Sequence, residues 1–178
     1  MIYKHWMVRN DDNGISYNRF KWNAIGKWTI ANDWKNNDNC GNGLHGQGIS
    51  GDIEGFGYSQ DGTRFVFCEI DPLAGVVCLG DKIKCKRARI VAEGIEALLL
   101  LLQNCKNNYF KGSLRLSSLQ TLPSGISLEA GWSIDLRSLQ TLSTGVSLKA
   151  GSCLNLSSLQ ILPKGINIKA EKIILKPK

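Results

Sequence analysis

Three side chains in the first half of the chain have the chemistry of a nucleophilic catalyst. Cys40 supplies a thiol, His45 an imidazole and Glu69 a carboxylate. A histidine that takes the proton of a thiol, and is itself oriented by a carboxylate, activates a cysteine for attack. Two interpretations stay open: an enzyme that acts on a nucleotide-like substrate with these residues, or a structural histidine that is hydrogen-bonded within a turn.

The segment around Cys40 is rich in glycine and asparagine and contains the spacing Gly41-x-Gly43-x-x-Gly46. That spacing binds dinucleotides where a strand precedes it and a helix follows it. Here asparagines precede it, and the residues that follow include further glycines. We therefore expect a long loop over residues 36–62 and no bound cofactor.

Residues 82–89, the basic segment, alternate charged and apolar side chains. Alternation with a period of two predicts a half-buried strand, with Lys84 and Lys86 on its solvent side. Arg87 and Arg89 add guanidinium groups, which bind phosphates through paired hydrogen bonds. The basic segment is either a phosphate-binding strip or an ordinary solvated face of a sheet.

Positive charge is concentrated in the last third of the chain. The net charge is +7, and residues 1–110 carry 13 Lys and Arg against 12 Asp and Glu, whereas residues 111–178 carry 9 against 3. A basic surface attracts nucleic acids and acidic proteins, although lysine also simply keeps a surface soluble. The candidate binding residues are eight basic residues and three tryptophans that lie in polar or small-residue positions. These are Trp22, Trp34, Lys84, Lys86, Arg87, Arg89, Trp132, Arg137, Lys164, Lys169 and Lys172.

The cysteines and the apolar runs indicate the compartment. The six cysteines form no CxxC pair, so no metal site is expected. The longest apolar run, residues 97–102, is far shorter than the ~20 residues that span a bilayer. The first residues lead into polar sequence rather than the apolar core of a secretion signal. These features predict a reduced, cytoplasmic protein with no membrane segment, in which Cys68, Cys78 and Cys85 are small core residues.

The last third contains a repeat with a period of 20 residues. Residues 111–130, 131–150 and 151–170 align without a gap, and a partial fourth copy follows. Apolar residues recur at the same phase, and two stretches per copy alternate apolar with polar residues, which predicts two short strands per copy. One copy cannot bury its leucines alone. The copies therefore predict a short parallel β-solenoid in which equivalent leucines stack.

Single positions add detail to the solenoid. The glycine before the second strand of each copy suits a corner with positive φ. Trp132 occupies a slot that holds Gly112, Ser152 and, in the partial copy, Lys172, so we expect this slot to face outward. The last coil must end the solenoid or pair with a second chain, which makes a homodimer possible.

The first 110 residues predict a different architecture, with five strands and a helix. The strands are Tyr3–Val8, Lys27–Ile30, Arg64–Ile70, Val76–Leu79 and Lys82–Val91. Residues 93–106 are apolar nearly all round and predict a helix that is buried on most sides. The predicted fold class is mostly β: an N-terminal α+β domain at residues 1–92, a connecting helix and cap at 93–110, and a β-solenoid at 111–178.

Two parts of the chain resemble known sequences. The motif LxLSSLQTLPSGISLxA resembles leucine-rich-type repeats of phage and bacterial-symbiont proteins, which implies an interaction scaffold without catalytic residues. Residues 40–91, with a Gly-Leu-His turn and the strand GDKIKCKRAR, are similar to small phage and prophage domains, which implies a mobile-element setting.

Size, repeats and resemblance together predict a non-enzymatic binding protein. Its expected partner is a host protein or ribonucleoprotein complex. The most concrete version is an anti-CRISPR-like inhibitor that occludes the surface of a bacterial defence complex. Direct binding of nucleic acid by the basic solenoid face remains an alternative, as does the enzyme described above.

Overall fold

The computed structural model describes residues 6–11, 15–16, 20–39, 41–49, 64–79, 82–104, 108–110 and 112–175. Cys40, residues 50–62 of the predicted loop and the first three residues of the predicted strand Tyr3–Val8 lie outside these ranges. The chain divides into two compact units. The first holds residues 1–53 and 60–106, and the second holds residues 54–59 and 107–178.

Strands and one helix form the first unit. They are β1 (Trp6–Asp11), β2 (Ile15–Ser16), β3 (Phe20–Lys21), β4 (Thr29–Ile30), β5 (Leu44–Gly48), β6 (Arg64–Ile70), β7 (Val76–Leu79), β8 (Lys82–Cys85), β9 (Arg87–Glu93) and α1 (Gly94–Asn104). Strands β6 and β7 have the predicted bounds. Seven strands form one antiparallel sheet in the order β4-β9-β6-β1-β5-β8-β7, and β2 pairs with β3.

The predicted strand Lys82–Val91 is two strands, and the prediction of one strand is wrong. The chain bends at Lys86, after which β9 pairs with β4 and β6, whereas β8 pairs with β5 and β7. Three strands separate β8 from β9 in the sheet, yet one residue joins them in the chain. The sheet therefore curls over on itself, as sheets do where a strand turns a corner.

Strand β5 lies inside the segment that the sequence analysis assigned to a loop. Its glycines allow close packing: a β-carbon on Gly46 would lie 2.6 Å from the Met7 sulfur, and one on Gly48 would lie 2.5 Å from Ile83 Cδ1. Glycine usually weakens a strand, but it is used where another group approaches closely. The loop prediction is wrong here because tight packing in the curled sheet outweighs low strand propensity.

The core of the first unit lies within the curl of the sheet. It joins Met7 and Trp22 to residues of β5, β6, β8 and β9. Cys68 and Cys85 are part of it, as predicted, and burial raises the pKa of both thiols to about 12. Helix α1 packs on β6 and β9 and buries Ala97, Leu98 and Leu101.

The second unit is a parallel β-solenoid, which confirms the predicted fold class. Its strands are β10 (Tyr109–Phe110), β11 (Leu114–Arg115), β12 (Thr121–Leu122), β13 (Ser127–Ala130), β14 (Ile134–Asp135), β15 (Thr141–Leu142), β16 (Ser147–Ala150), β17 (Cys153–Leu156), β18 (Asn167–Lys169) and β19 (Lys172–Leu175). They form three parallel sheets, β10-β13-β16-β18, β11-β14-β17-β19 and β12-β15. The third sheet was not predicted.

Leucine columns fill the solenoid as the repeat predicts. Leu116, Leu136 and Leu156 are fully buried, one coil above another. The corner glycines Gly125, Gly145 and Gly165 have φ of 75°, 74° and 78°. Because L side chains disfavour this region, glycine is needed at the same corner of every coil.

The partial fourth copy shifts its register by one residue. Leu154 pairs with Ile134 below it at a spacing of 20, but with Ile173 above it at a spacing of 19. Lys172 therefore pairs with Cys153 rather than extending the slot of Ser152 and Trp132 as predicted. The slip places Ile173 and Leu175, rather than a lysine, on the apolar columns.

Gly151 tests how closely the coils stack. A β-carbon there would overlap the carbonyl oxygen of Gly131 in the coil below, and a backbone atom cannot swing aside. We expect Gly151→Ala to lower the free energy of unfolding by about 1–3 kcal/mol, the usual cost of overpacking. The neighbouring Ser152→Ala is the control, with an expected change of about 0.5 kcal/mol or less. Equal denaturation midpoints for the two variants would show that the coils are not stacked this tightly.

Candidate functional site

The candidate catalytic residues are not brought together. His45 lies on β5 and Glu69 on β6, with β1 between these strands. Glu69 is opposite Trp6, and the Trp6 carbonyl accepts a bond from the Ile49 amide, four residues beyond His45. Four residues of strand span ~13 Å, too far for a hydrogen bond between the two side chains. Glu69 instead binds Arg89 at 2.6 Å, and Cys40 lies outside the described residues.

The side chain of His45 on β5 is hydrogen-bonded to the backbone two residues earlier, just before the strand begins. Its Nδ1 lies 3.0 Å from the carbonyl oxygen of Gly43 and donates a hydrogen bond to it. Its Nε2 is buried without a partner among the residues that the structure describes. Burial lowers the pKa of His45 below its ordinary value of 6.5, and the nearby ammonium of Lys84 adds to this effect. The geometry is that of a structural histidine in a turn.

The lowered pKa of His45 predicts a loss of stability in mild acid. Below pH 6.5 the unfolded chain takes up a proton on this imidazole more readily than the folded chain, so protonation favours unfolding. We expect the free energy of unfolding to fall between pH 7 and pH 5.5, and to fall less in His45→Gln. Urea denaturation across that range measures both. Parallel pH profiles for the two proteins would contradict this environment of His45.

The basic segment does not keep all of its cations on the solvent side. Lys84, expected on the solvent side, is fully buried. Its ammonium donates hydrogen bonds to the carbonyl and side-chain oxygens of Asn37 and, at 2.9 Å, to the carbonyl of Asn39. It also lies 5.6 Å from the ring of Trp34. The expectation is wrong because the segment at residues 34–39 covers this face of β8.

Arg87 and Arg89 also have partners already. Arg87 binds Asp71 at 2.8 Å, and Arg89 binds Glu69. Both guanidinium groups stack on the ring of Trp28, at 4.4 Å and 4.8 Å from its centre. Each guanidinium group therefore already carries a carboxylate and an aromatic ring, which leaves fewer of its N–H donors for a phosphate. Lys86 is exposed at the bend between β8 and β9 and is the residue of this group best placed to meet a ligand.

The two candidate binding tryptophans of the first unit, Trp22 and Trp34, are packing residues. Trp22 is 3% exposed and carries the guanidinium of Arg9 at 4.6 Å from its ring, so the prediction of an exposed anchor is wrong for it. Trp34 is half-buried, packs against the core and approaches Gly75 closely. Polar neighbours in sequence did not reveal either environment, because the covering groups come from distant strands.

The solenoid keeps its predicted contact residues on the surface. Trp132 is 68% exposed. Arg137 is also exposed, but it binds both carboxylate oxygens of Asp135 through Nε at 3.0 Å. Lys164, Lys169 and Lys172 are exposed and have no carboxylate partner within the described part of the chain. Of the predicted binding residues, the exposed cations without a carboxylate partner in the described ranges are therefore Lys86 of the first unit and these three lysines near the end of the solenoid.

A group of apolar side chains at the end of the solenoid was not identified from the sequence as a site. We call Ile161, Leu162, Ile173 and Leu175 the terminal apolar group; they are between 44% and 76% exposed. Leu162 was expected in a buried column, yet no coil lies above it in the described structure. The sequence signal for this group is Ile161, which takes the repeat position held by Thr121 and Thr141 in the two earlier copies.

Among the residues that the structure describes, no helix is long and apolar enough to cross a membrane. The same ranges contain no group of three His, Cys, Asp or Glu side chains placed to hold a metal ion. Comparison of the chain with protein-family models, with curated proteins and with solved structures found no match.

Proposed function

We propose that the chain is a non-enzymatic binding protein whose solenoid carries the contact surface. The exposed side chain of Trp132, together with the exposed Lys164, Lys169 and Lys172 near the end of the solenoid, supports this most. Of the candidate binding residues of the first unit, Trp22 and Lys84 are buried, and Arg87 and Arg89 are paired with carboxylates. Tryptophan and clustered charge are typical of the residues that dominate protein interfaces. His45 and Glu69, the described residues of the candidate catalytic set, have structural partners.

In its most specific form, the proposal is that the protein comes from a phage or another mobile element and inhibits a bacterial defence complex. The basic solenoid would occupy a groove that otherwise binds nucleic acid or a protein subunit, as an anti-CRISPR protein does. The support is the small size, the basic surface and the resemblance of the sequence to phage repeats and domains. The partner would then be a host protein or ribonucleoprotein with an acidic surface, in the bacterial cytoplasm.

Capture from a bacterial host lysate tests the proposal. The wild-type chain and His45→Ala are expected to recover the same partner in equal amount, and Trp132→Ala to recover at least tenfold less. Because Trp132 is largely exposed, its loss should leave the fold intact, which circular dichroism verifies. Recovery that depends on His45 but not on Trp132 would place the function in the first unit. Recovery of no partner would count against the proposal.

A second candidate is direct binding of nucleic acid by the basic end of the solenoid. The observation in its favour is that Lys164, Lys169 and Lys172 lack carboxylate partners within the described ranges. Three phosphate contacts predict that affinity for duplex DNA falls roughly 40-fold between about 50 and about 200 mM salt, through counterion release. An affinity that does not change with salt would remove this candidate.

A further inference from the structure

The last coil of the solenoid is unlike the coils before it. The terminal apolar group is 44–76% exposed, whereas Leu114, Leu116, Leu119 and Leu122 of the first coil are 4% exposed or less. Exposed apolar residues scattered singly are ordinary, but four on one coil form a patch. Leu162, Ile173 and Leu175 continue buried columns of the solenoid, whereas Ile161 takes the outward-facing repeat position of Thr121 and Thr141.

The backbone at this end has free hydrogen-bonding positions. The Lys172 amide donates to the carbonyl of Ser152, the residue before β17. The N–H groups of Ile173 and Leu175 therefore point to the opposite side, because direction alternates along a strand. Strand β19 is the last of its sheet, and β18 is the last of the neighbouring sheet. An edge of this kind is a template for one more strand.

The charges at this end indicate the chemistry of that strand. In one outward column, Glu129 pairs with Lys149 at 3.5 Å, and Lys169 follows above Lys149. Lys169, Lys164 and Lys172 form no ion pair in the described structure, and Glu171 is the one acidic residue among residues 151–175. A carboxylate on the next strand would repeat the pairing already made between Glu129 and Lys149.

We propose that the last coil binds an extended segment of a partner protein, with alternating apolar and acidic residues, as an added strand beside β19. The apolar residues of the segment cover the terminal apolar group, and its backbone bonds to Ile173 and Leu175. Its carboxylates meet Lys172 on β19 and, where the segment continues beside β18, Lys169. Main-chain hydrogen bonds supply affinity and the alternate side chains supply specificity, as in other cases of strand addition. This inference rests on the proposed function, because it names the chemistry of the partner.

The same observations disfavour two other occupants. A second copy, placed end to end, would bring six of these lysines into one interface with only the two copies of Glu171 to offset them, and like charges across an interface are costly. Nucleic acid would satisfy the lysines but would leave the apolar group and the strand edge uncovered. An acidic, apolar strand matches all three features.

Selection from a random peptide library displayed on phage particles tests the inference directly. The immobilised wild-type chain is expected to enrich peptides that alternate apolar and acidic residues. The affinity of a synthetic copy is expected to fall at least tenfold for Lys169→Glu with Lys172→Glu, and to stay unchanged for the matched control, Lys27→Glu with Lys35→Glu in the first unit. Circular dichroism establishes that each variant is folded.

Modified peptides then test strand addition itself. N-methylation of the alternate residues whose N–H groups face β19 is expected to abolish binding. N-methylation of the residues whose N–H groups face away from β19 is expected to leave binding unchanged. Enriched peptides without acidic residues, no enrichment, or equal effects of both methylation patterns would overturn the inference. A dimer in sedimentation that Ile173→Ser converts to a monomer would assign the patch to a second copy and would also overturn it.

The two proposals can fail separately. If Trp132→Ala abolishes capture of the partner from lysate while the double reversal at Lys169 and Lys172 has no effect, the protein binds a partner but not at the last coil. If peptides are selected as expected but no partner is captured, the last coil binds such strands and the proposed cellular function is wrong.

Discussion

Leu136→Ala is expected to destabilise the solenoid by about 2–5 kcal/mol. Leu136 is fully buried in the middle coil, with Leu116 and Leu156 on either side of it in the same column. Truncation removes apolar contacts and leaves a cavity that the stacked coils cannot close. Urea denaturation followed by circular dichroism measures the change.

Leu162→Ala is the matched control for Leu136→Ala. Leu162 occupies a leucine column of the same repeat but is about half exposed at the open end. Its truncation is expected to cost about 1 kcal/mol or less, because most of the side chain never leaves water. A cost at Leu162 equal to that at Leu136 would mean that the last coil is covered, and a negligible cost at both would contradict the stacked columns.

Lys84→Met is expected to destabilise the first unit by about 2 kcal/mol. The substitution keeps the length of the side chain but removes the ammonium that bonds Asn37 and Asn39. Hydrogen bonds to a charged group contribute more than neutral ones, and the freed carbonyls must recover water. Guanidinium denaturation followed by tryptophan fluorescence measures the loss, and the emission of Trp34 should shift because Lys84 lies over its ring.

Lys86→Met provides the comparison for Lys84→Met within the same basic segment. Lys86 is exposed at the bend, and its backbone rather than its side chain bonds Gly75 and Ala31. Its replacement is expected to change stability by about 0.5 kcal/mol or less. A greater loss of stability in Lys86→Met than in Lys84→Met would contradict the burial of the Lys84 ammonium.

The solenoid could be predicted because its determinants are local and repeated. Apolar residues at a fixed phase in three copies decide which side chains face inward, so buried Leu116, Leu136 and Leu156 followed from spacing alone. The corner glycines followed from the same repeat. The third short sheet at Thr121 and Thr141 was missed because two residues per coil give no periodic signal.

The first unit was harder because its contacts join residues far apart in sequence. Alternation placed Lys84 and Cys85 on opposite faces of a strand correctly, but it could not show that the segment containing Asn37 and Asn39 covers the face of Lys84. The strand that contains Gly46 was missed because close packing against Met7, rather than local propensity, stabilises it. The bend at Lys86 likewise follows from the curl of the whole sheet.

Among the candidate sites too, those set by local sequence could be predicted and those set by contacts between distant residues could not. Arg87, Arg89 and Glu69 were read as separate groups with free charge, whereas cross-strand pairing combines them around Trp28. Trp132 could be identified because its slot holds small residues in other copies. The placement of Ile173 and Leu175 at the end of the solenoid follows from a one-residue shift in register at Lys172. A strict period of 20 does not predict this shift.

Amide hydrogen exchange, with and without the captured partner, tests most directly whether the solenoid is the binding element. With the partner bound, the account predicts slower exchange over residues 164–175, together with the segment around Trp132, and unchanged exchange over residues 41–49. Protection confined to residues 41–49, with residues 164–175 exchanging as in the free protein, would contradict it.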